Sequence, residues 1–337
     1  MIEADIYVAN RKTRSKEEPQ TIIPMDNPDL PERGFYLGYL TIPHIGQSFD
    51  DAYLNASERI EIVPIWGAPS AFYEMPEVLD GSWGDIFVNT LIRGNNLAPL
   101  IHMSFIDSGM TLKVPPGMEG ATLNDSNFRE RYIETAVNIV TISRPKFFSL
   151  GNEVNRWYEY HGLEGNNSFL NWVSLYEEAY DAVKTLSPET VVFCTFSREM
   201  VSELREADLT VLELFNPDKL DMLIFTSYPN AVSTINRPSD IPDDYYKNAS
   251  DYMPGKAFGF SKISWPSRME FGGEAGQTQF LTDAVSRLTL SNTVDLKLLM
   301  WTWNTDLEGD TSGLITRDGV EKQALELWDT YYHWGED

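Results

Sequence analysis

The feature that most constrains this chain is an alternation repeated eight times from Gly34 onward. Short runs rich in β-branched, aromatic and leucine residues are followed by longer segments of 3.6-residue periodicity, the signature of strands and helices in turn. The strand-like runs cover 34–40, 60–66, 97–105, 146–151, 190–196, 220–227, 257–261 and 296–303. Between them lie apolar stripes at helical spacing. One is Phe169, Trp172, Val173, Tyr176, Ala179, Tyr180 and Val183, with Ser168 placed as an N-cap. Phe128, Tyr132, Ile133, Ala136, Val137 and Val140 form a second stripe. Others follow at Phe280–Leu288 and Ala324–Tyr332. The segment 229–255 has a weaker pattern and reads as an irregular loop with one short helix. Runs that are apolar throughout, rather than alternating, indicate parallel strands covered on both faces. Eight such units predict an α/β fold, a single closed (β/α)8 barrel over 33–337. A doubly wound open sheet is the alternative, but it would carry a glycine-rich first turn, and no GxGxxG occurs.

Charge narrows the partners. Asp and Glu number 51 against 26 Lys and Arg, a formal net charge of −25. Nucleic acid needs a basic footprint, and an anionic membrane surface needs the same, so neither is an expected partner. No apolar run approaches the ~18 residues of a membrane span. The single cysteine, Cys194, sits in an apolar strand and reads as a small buried side chain. The four histidines, His44, His102, His161 and His333, have no paired metal-binding spacing, and GxxxxGK[ST] and GxSxG are absent. No cofactor is expected. The acidic loop Asp306-Leu307-Glu308-Gly309-Asp310 offers oxygen ligands for a structural Ca²⁺, though acidic loops in acidic proteins usually face water. Residues 1–32 are polar, with four prolines, and read as an arm or linker. Such an arm suits a protein placed outside the cell or on its surface after removal of an export signal, and a cytoplasmic protein almost as well. Four N-x-[ST] sequons, at Asn55, Asn124, Asn166 and Asn248, lend export weak support.

Barrels of this kind carry their sites at the C-terminal ends of the strands. The residues expected there are Tyr36, Trp66, His102, Asn152, Glu153, Tyr228, Lys262, Trp265 and Trp301. Aromatic faces stack on the C–H faces of sugar rings, and amides and carboxylates bind hydroxyls. The rim therefore predicts a carbohydrate partner. Each aromatic alone is equally a core residue. The polar pair Asn152-Glu153 is more specific, because it directly follows the apolar Phe147–Leu150 run, where burial without a role is costly.

These motifs resemble the retaining (β/α)8 glycoside hydrolases grouped as clan A, and within them the endo-β-1,4-galactanase-like branch. The resemblance rests on Leu150-Gly151-Asn152-Glu153, Thr226-Ser227-Tyr228-Pro229, Phe260-Ser261-Lys262-Ile263-Ser264-Trp265 and Trp301. It implies that Glu153 is an acid/base, that Asn152 binds a sugar hydroxyl and that Trp301 floors a subsite. It also implies a glutamate nucleophile where this chain has Lys262. Retaining hydrolysis needs two carboxyl groups ~5–5.5 Å apart, one of which attacks the anomeric carbon. An ammonium forms no glycosyl ester and opposes an oxocarbenium-like transition state. A nearby cation also lowers a carboxyl pKa, the wrong direction for a general acid. The family's strand-two arginine is missing from Val63-Pro64-Ile65-Trp66-Gly67 as well. Loop carboxylates at Glu270, Glu274, Asp306, Glu308 and Asp310 are the only nearby replacements. The expectation is a glycosidase barrel with a sugar-binding cleft in which Glu153 and Lys262 form a salt bridge or water-bridged contact. Three functions remain open: an unusual glycosidase, a non-catalytic carbohydrate-binding or scaffold pseudoenzyme, and an aldolase or lyase using Lys262 as a Schiff-base amine.

Overall fold

The computed structural model describes residues 21–66, 71–290 and 294–335. Residues 1–20 of the expected arm and Gly67 of the strand-two stretch lie outside the described residues. Eight strands form the barrel: β1 Tyr36–Leu40, β2 Ile62–Trp66, β3 Ala98–His102, β4 Phe147–Ser149, β5, β6 Leu223–Ser227, β7 Ala257–Ile263 and β8 Asp295–Trp303. Strand β5 is split, as Val191–Phe193 and, past Cys194, Thr195–Ser197. Its first half bonds to β4 and its second half to β6, and this closes the ring. Every barrel pairing is parallel. Cys194, at the break, is buried. The chain is thus an α/β protein with a single (β/α)8 barrel.

Helices α1 Phe49–Ala56, α2 Met75–Asp80, α3 Ser126–Ser143, α4 Asn155–His161, α5 Phe169–Leu186, α6 Tyr245–Ser250, α7 Gly273–Thr289 and α8 Gln323–Tyr332 accompany the strands. Ser168 caps α5 as expected, accepting from the Asn171 N–H, and Asp125 caps α3 through the N–H groups of Asn127 and Phe128. The apolar stripe of α5 is buried against the barrel, from Phe169 to Val183. The segment 229–255 holds one short helix, α6, within irregular chain, as its weak pattern predicts. One unit departs from the eight-fold alternation. Between β5 and β6 there is no α-helix, only the short 3-10 turns Val201–Glu203, Thr210–Leu214 and Pro217–Lys219 and a small antiparallel pair, Glu199–Met200 with Arg205–Glu206.

The described part of the arm lies along one end of the barrel. The Ile22 N–H bonds to the Leu186 carbonyl, the Met25 N–H to the Arg144 carbonyl, and Asp26 pairs with Arg93 at 2.7 Å. Among the described residues no helix is long and apolar enough to cross a membrane.

Candidate functional site

The strand-four corner is built by Thr195 of β5. Its Oγ1 accepts the Glu153 N–H at 2.8 Å and donates to Asn152 Oδ1 at 2.9 Å. The Thr195 N–H bonds to the Gly151 carbonyl, and the Val154 N–H to the Thr195 carbonyl. Gly151 is required here: a Cβ would lie 2.6 Å from the Trp172 ring. Glu153 itself adopts φ 51°, a left-handed conformation that a branched or bulky residue would resist. Glu153 is only 16% exposed, and its carboxylate accepts from Arg156 of α4 at 2.9 Å. Thr195 and Arg156 were not among the sequence candidates. A hydroxyl facing this corner from the next strand was a findable signal for Thr195, and the i, i+3 spacing was one for Arg156.

Lys262 lies near the end of β7 with its Nζ 4.3 Å from the centre of the Trp66 ring. Of the two contacts expected with Glu153, a salt bridge or a water-bridged one, the direct salt bridge does not form. Arg156 takes the carboxylate, and no carboxylate lies within 4 Å of the Lys262 amine among the described residues. Glu153 still acts on Lys262 through space. Burial lowers the amine pKa, Glu153 opposes that shift, and Arg156 reinforces it. Beside them stands His102, the register partner of Trp66 on the neighbouring strand. His102 is 1% exposed, and neither ring nitrogen has a hydrogen-bond partner among the described residues. Burial, and then the charge of Lys262, hold its pKa well below the usual imidazole range. The Trp66 Nε1 and Thr226 Oγ1 atoms are also buried without partners among the described residues. Thr226 is the register partner of Lys262.

Tyr228 follows β6, and burial together with the Glu153 carboxylate pushes its phenol pKa up. Its backbone is pinned by a residue that sequence reasoning missed. Glu199, 1% exposed, accepts from the Tyr228 N–H at 2.6 Å, Tyr245 Oη at 2.8 Å and Ser227 Oγ at 2.9 Å. Burial raises the Glu199 pKa to about 7, against the lowering effect of the Tyr228 N–H, Arg198, Tyr245 and Ser227. A lone Glu after an apolar strand carried no signal of this role.

Three residues expected in the cleft lie elsewhere. Tyr36 opens β1, and its hydroxyl donates to the Pro28 carbonyl of the arm, at the opposite end of the strand from the mouth. Trp265 is fully buried, stacked on Phe280 of α7 with its Nε1–H on the Phe271 carbonyl. Trp301 is fully buried between barrel and helices, against Phe280 and Trp328, with its Nε1–H on the Ser312 carbonyl. A register shift explains the last case. Tyr39 pairs with Trp301, but Leu40 pairs with Trp303, so one residue is added on β8. A one-residue bulge changes which face of a sheet the next side chain takes. Trp303 is only partly buried, and its indole N–H has no partner among the described residues.

Two hollows open at the strand ends. One, of about 390 Å³, is walled by Leu40, Ile42, Phe49, Trp66, Trp83 and Phe87, among others, and is largely apolar. The second, of about 320 Å³, is polar and includes Asn152, Glu153, Arg156, Ser104 and Asp107. The loop carboxylates reach neither. Glu270 and Glu274 are exposed, and Asp306 is held by Lys322 at 2.7 Å. That ammonium stands on the carboxylate a Ca²⁺ would use, and no cluster of three or more metal-ligating side chains occurs among the described residues.

No family model matches the chain, and no curated protein matches it in sequence. Solved structures similar to it include glycoside hydrolases. One is a family 39 glycoside hydrolase from the gut symbiont Bacteroides cellulosilyticus, with 16% identity and TM-score 0.61 over 91% of this chain and 65% of that one. Xylanase 10B from Thermotoga maritima gives 12% identity and TM-score 0.60 over 89% and 95%. A fungal β-1,4-galactanase gives 14% identity and TM-score 0.57 over 88% and 94%. At these identities the likeness establishes a shared barrel.

Proposed function

We propose that this protein binds a β-linked glycan at the C-terminal mouth of a glycoside-hydrolase barrel and does not perform ordinary retaining hydrolysis. The observation that carries the reading is Lys262. By the motif resemblance it stands on strand seven where the family has its nucleophile, and among the described residues no carboxylate lies within 4 Å of its amine. Glu153 alone cannot both protonate a leaving group and attack the anomeric carbon, since the retaining reaction divides those tasks between two carboxyl groups. The galactanase-like motifs support a galactan or related β-linked hexose polymer as ligand, and the apolar hollow beside Trp66 supports sugar stacking. The test compares wild type with Lys262→Glu, scoring glycan binding and reducing-end release from galactan and other β-glycans. Wild type is expected to bind without cleaving, and the variant to gain cleavage. Efficient cleavage by wild type would overturn the reading.

A second reading is favoured by the same lysine. An amine without an ion-pair partner and with a lowered pKa is suited to attack a carbonyl. Borohydride trapping of a small aldehyde, followed by peptide mapping, tests it. Selective labelling of Lys262 over the surface lysines supports a Schiff-base role, and uniform labelling removes it.

A further inference from the structure

The polar groups around Lys262 are unusual in what they lack. The amine is mostly withdrawn from water and meets only the face of Trp66. His102 is fully buried with two unpartnered ring nitrogens, and the indole N–H of Trp66 and the hydroxyl of Thr226 are unpartnered as well among the described residues. Buried polar groups are normally hydrogen-bonded, so a concentration of them around one cation points to an occupant that supplies the partners. The charge of that occupant follows from the neighbours. Arg156 neutralises Glu153, which leaves the ammonium of Lys262 as the uncompensated charge of the cluster. A single negative charge with acceptor oxygens completes it, and a neutral imidazole has one N–H left to donate to the same group.

We propose that Lys262, His102 and Trp66 form a subsite for a sugar bearing a carboxylate, a uronate residue of the bound glycan. The carboxylate meets the Lys262 ammonium and the His102 N–H. The C–H faces of the pyranose lie toward the aromatic hollow that Trp66 shares with Trp83 and Phe87. Charge reversal at the strand-seven position has thereby changed what the cleft selects. A glutamate there would repel an acidic sugar, whereas a lysine without a counter-ion attracts it. The inference rests on the carbohydrate reading above and deepens it.

Ligand-observed NMR titration of the full chain tests it, at near-neutral pH and low salt. The probes are methyl β-glucuronide and methyl β-galacturonide, the methyl esters of both, their neutral hexoside parents, and methyl β-galactoside 6-sulfate. Methyl glycosides carry no free aldehyde, so imine formation does not contribute. A charged hydrogen bond is worth about 1.5–3 kcal/mol, so the uronates are expected to bind at least ~10-fold more tightly than their esters. Lys262→Met should abolish that preference, and Lys262→Arg should retain most of it. Should wild type bind uronate, ester and neutral hexoside equally, the uronate assignment falls while the carbohydrate reading stands. Preference for the 6-sulfate over both uronates also overturns the assignment. If no probe binds, both readings fail together. The wild-type comparison of uronate with ester decides the matter even if a variant does not fold.

Discussion

Lys322 and Lys262, both in this barrel's C-terminal half, are held in opposite ways. Lys322, just before α8, is 2% exposed and donates to Asp306 Oδ1 at 2.7 Å, the Gly313 carbonyl at 2.8 Å, and Ser267 Oγ and the Thr311 carbonyl at 3.0 Å. Lys262, on β7, has an aromatic face and, among the described residues, no acceptor. The first shows that this fold can surround a buried ammonium with oxygens when the role is to tie loops together. The post-β8 loop, the strand-seven exit and the start of α8 converge on it. The second shows a cation left open, at the end of the molecule where barrels bind ligands. The same residue type is structural in one place and available in the other, and only the count of acceptors distinguishes them.

The contrast can be broken most directly at Lys322. Lys322→Met strands a mostly buried Asp306 carboxylate, and removing one partner of a buried pair costs about 3–5 kcal/mol. Urea unfolding should show that loss, and a change near zero would mean that the Lys322 cage is not structural. The next largest effect belongs to Glu199. Its pKa is about 7 in the fold against an ordinary 4.5, so the native state holds its proton more tightly than the unfolded chain. The resulting stabilisation is present at low pH and is lost as pH rises from about 4.5 to about 7, amounting to on the order of 3 kcal/mol. Unfolding measured on both sides of that window should show a steeper decline in wild type than in Glu199→Gln. Equal declines would place the carboxyl's titration outside it.

A smaller effect is expected at the strand-four corner. Thr195→Val removes both the acceptor for the Glu153 N–H and the donor to Asn152, and an unsatisfied buried group costs about 1–3 kcal/mol. Glycan affinity should fall with stability, because Asn152 and the left-handed Glu153 lose their tether. Unchanged binding would mean that the corner is held by other contacts. The smallest effect sharpens the comparison most. Lys262→Met should leave stability unchanged or raise it by about 1 kcal/mol, since replacing a buried charge by an apolar side chain of similar volume is often neutral or favourable. A melting temperature that falls as far as that of Lys322→Met would show that Lys262 is structural after all.

Much of the site was legible because it depends on local pattern. Asn152 and Glu153 follow an apolar strand, so their place at the mouth could be read directly, and Ser168 opens its helix with a local hydrogen bond. The aromatics were harder. Trp301 and Trp303 are two residues apart and chemically identical, so the choice between core and mouth depended on a bulge on β8. Trp265 and Tyr36 look like a cleft rim in sequence, yet one stacks on α7 and the other reaches back to the arm.

The sequence alone determined the closed barrel and put a lysine, Lys262, in its seventh strand, because strand and helix periods are written over short stretches and residue identity needs no folding to be read. Tertiary structure alone decided the pairing. Arg156 sits three residues along the chain from Glu153 and takes its carboxylate, so Lys262 is left without one among the described residues. Glu199 becomes a buried anchor only because Ser227, Tyr228 and Tyr245 arrive from elsewhere in the chain. Long charged side chains have several partners within reach, and which one they take is set by distances between strands that no local period encodes.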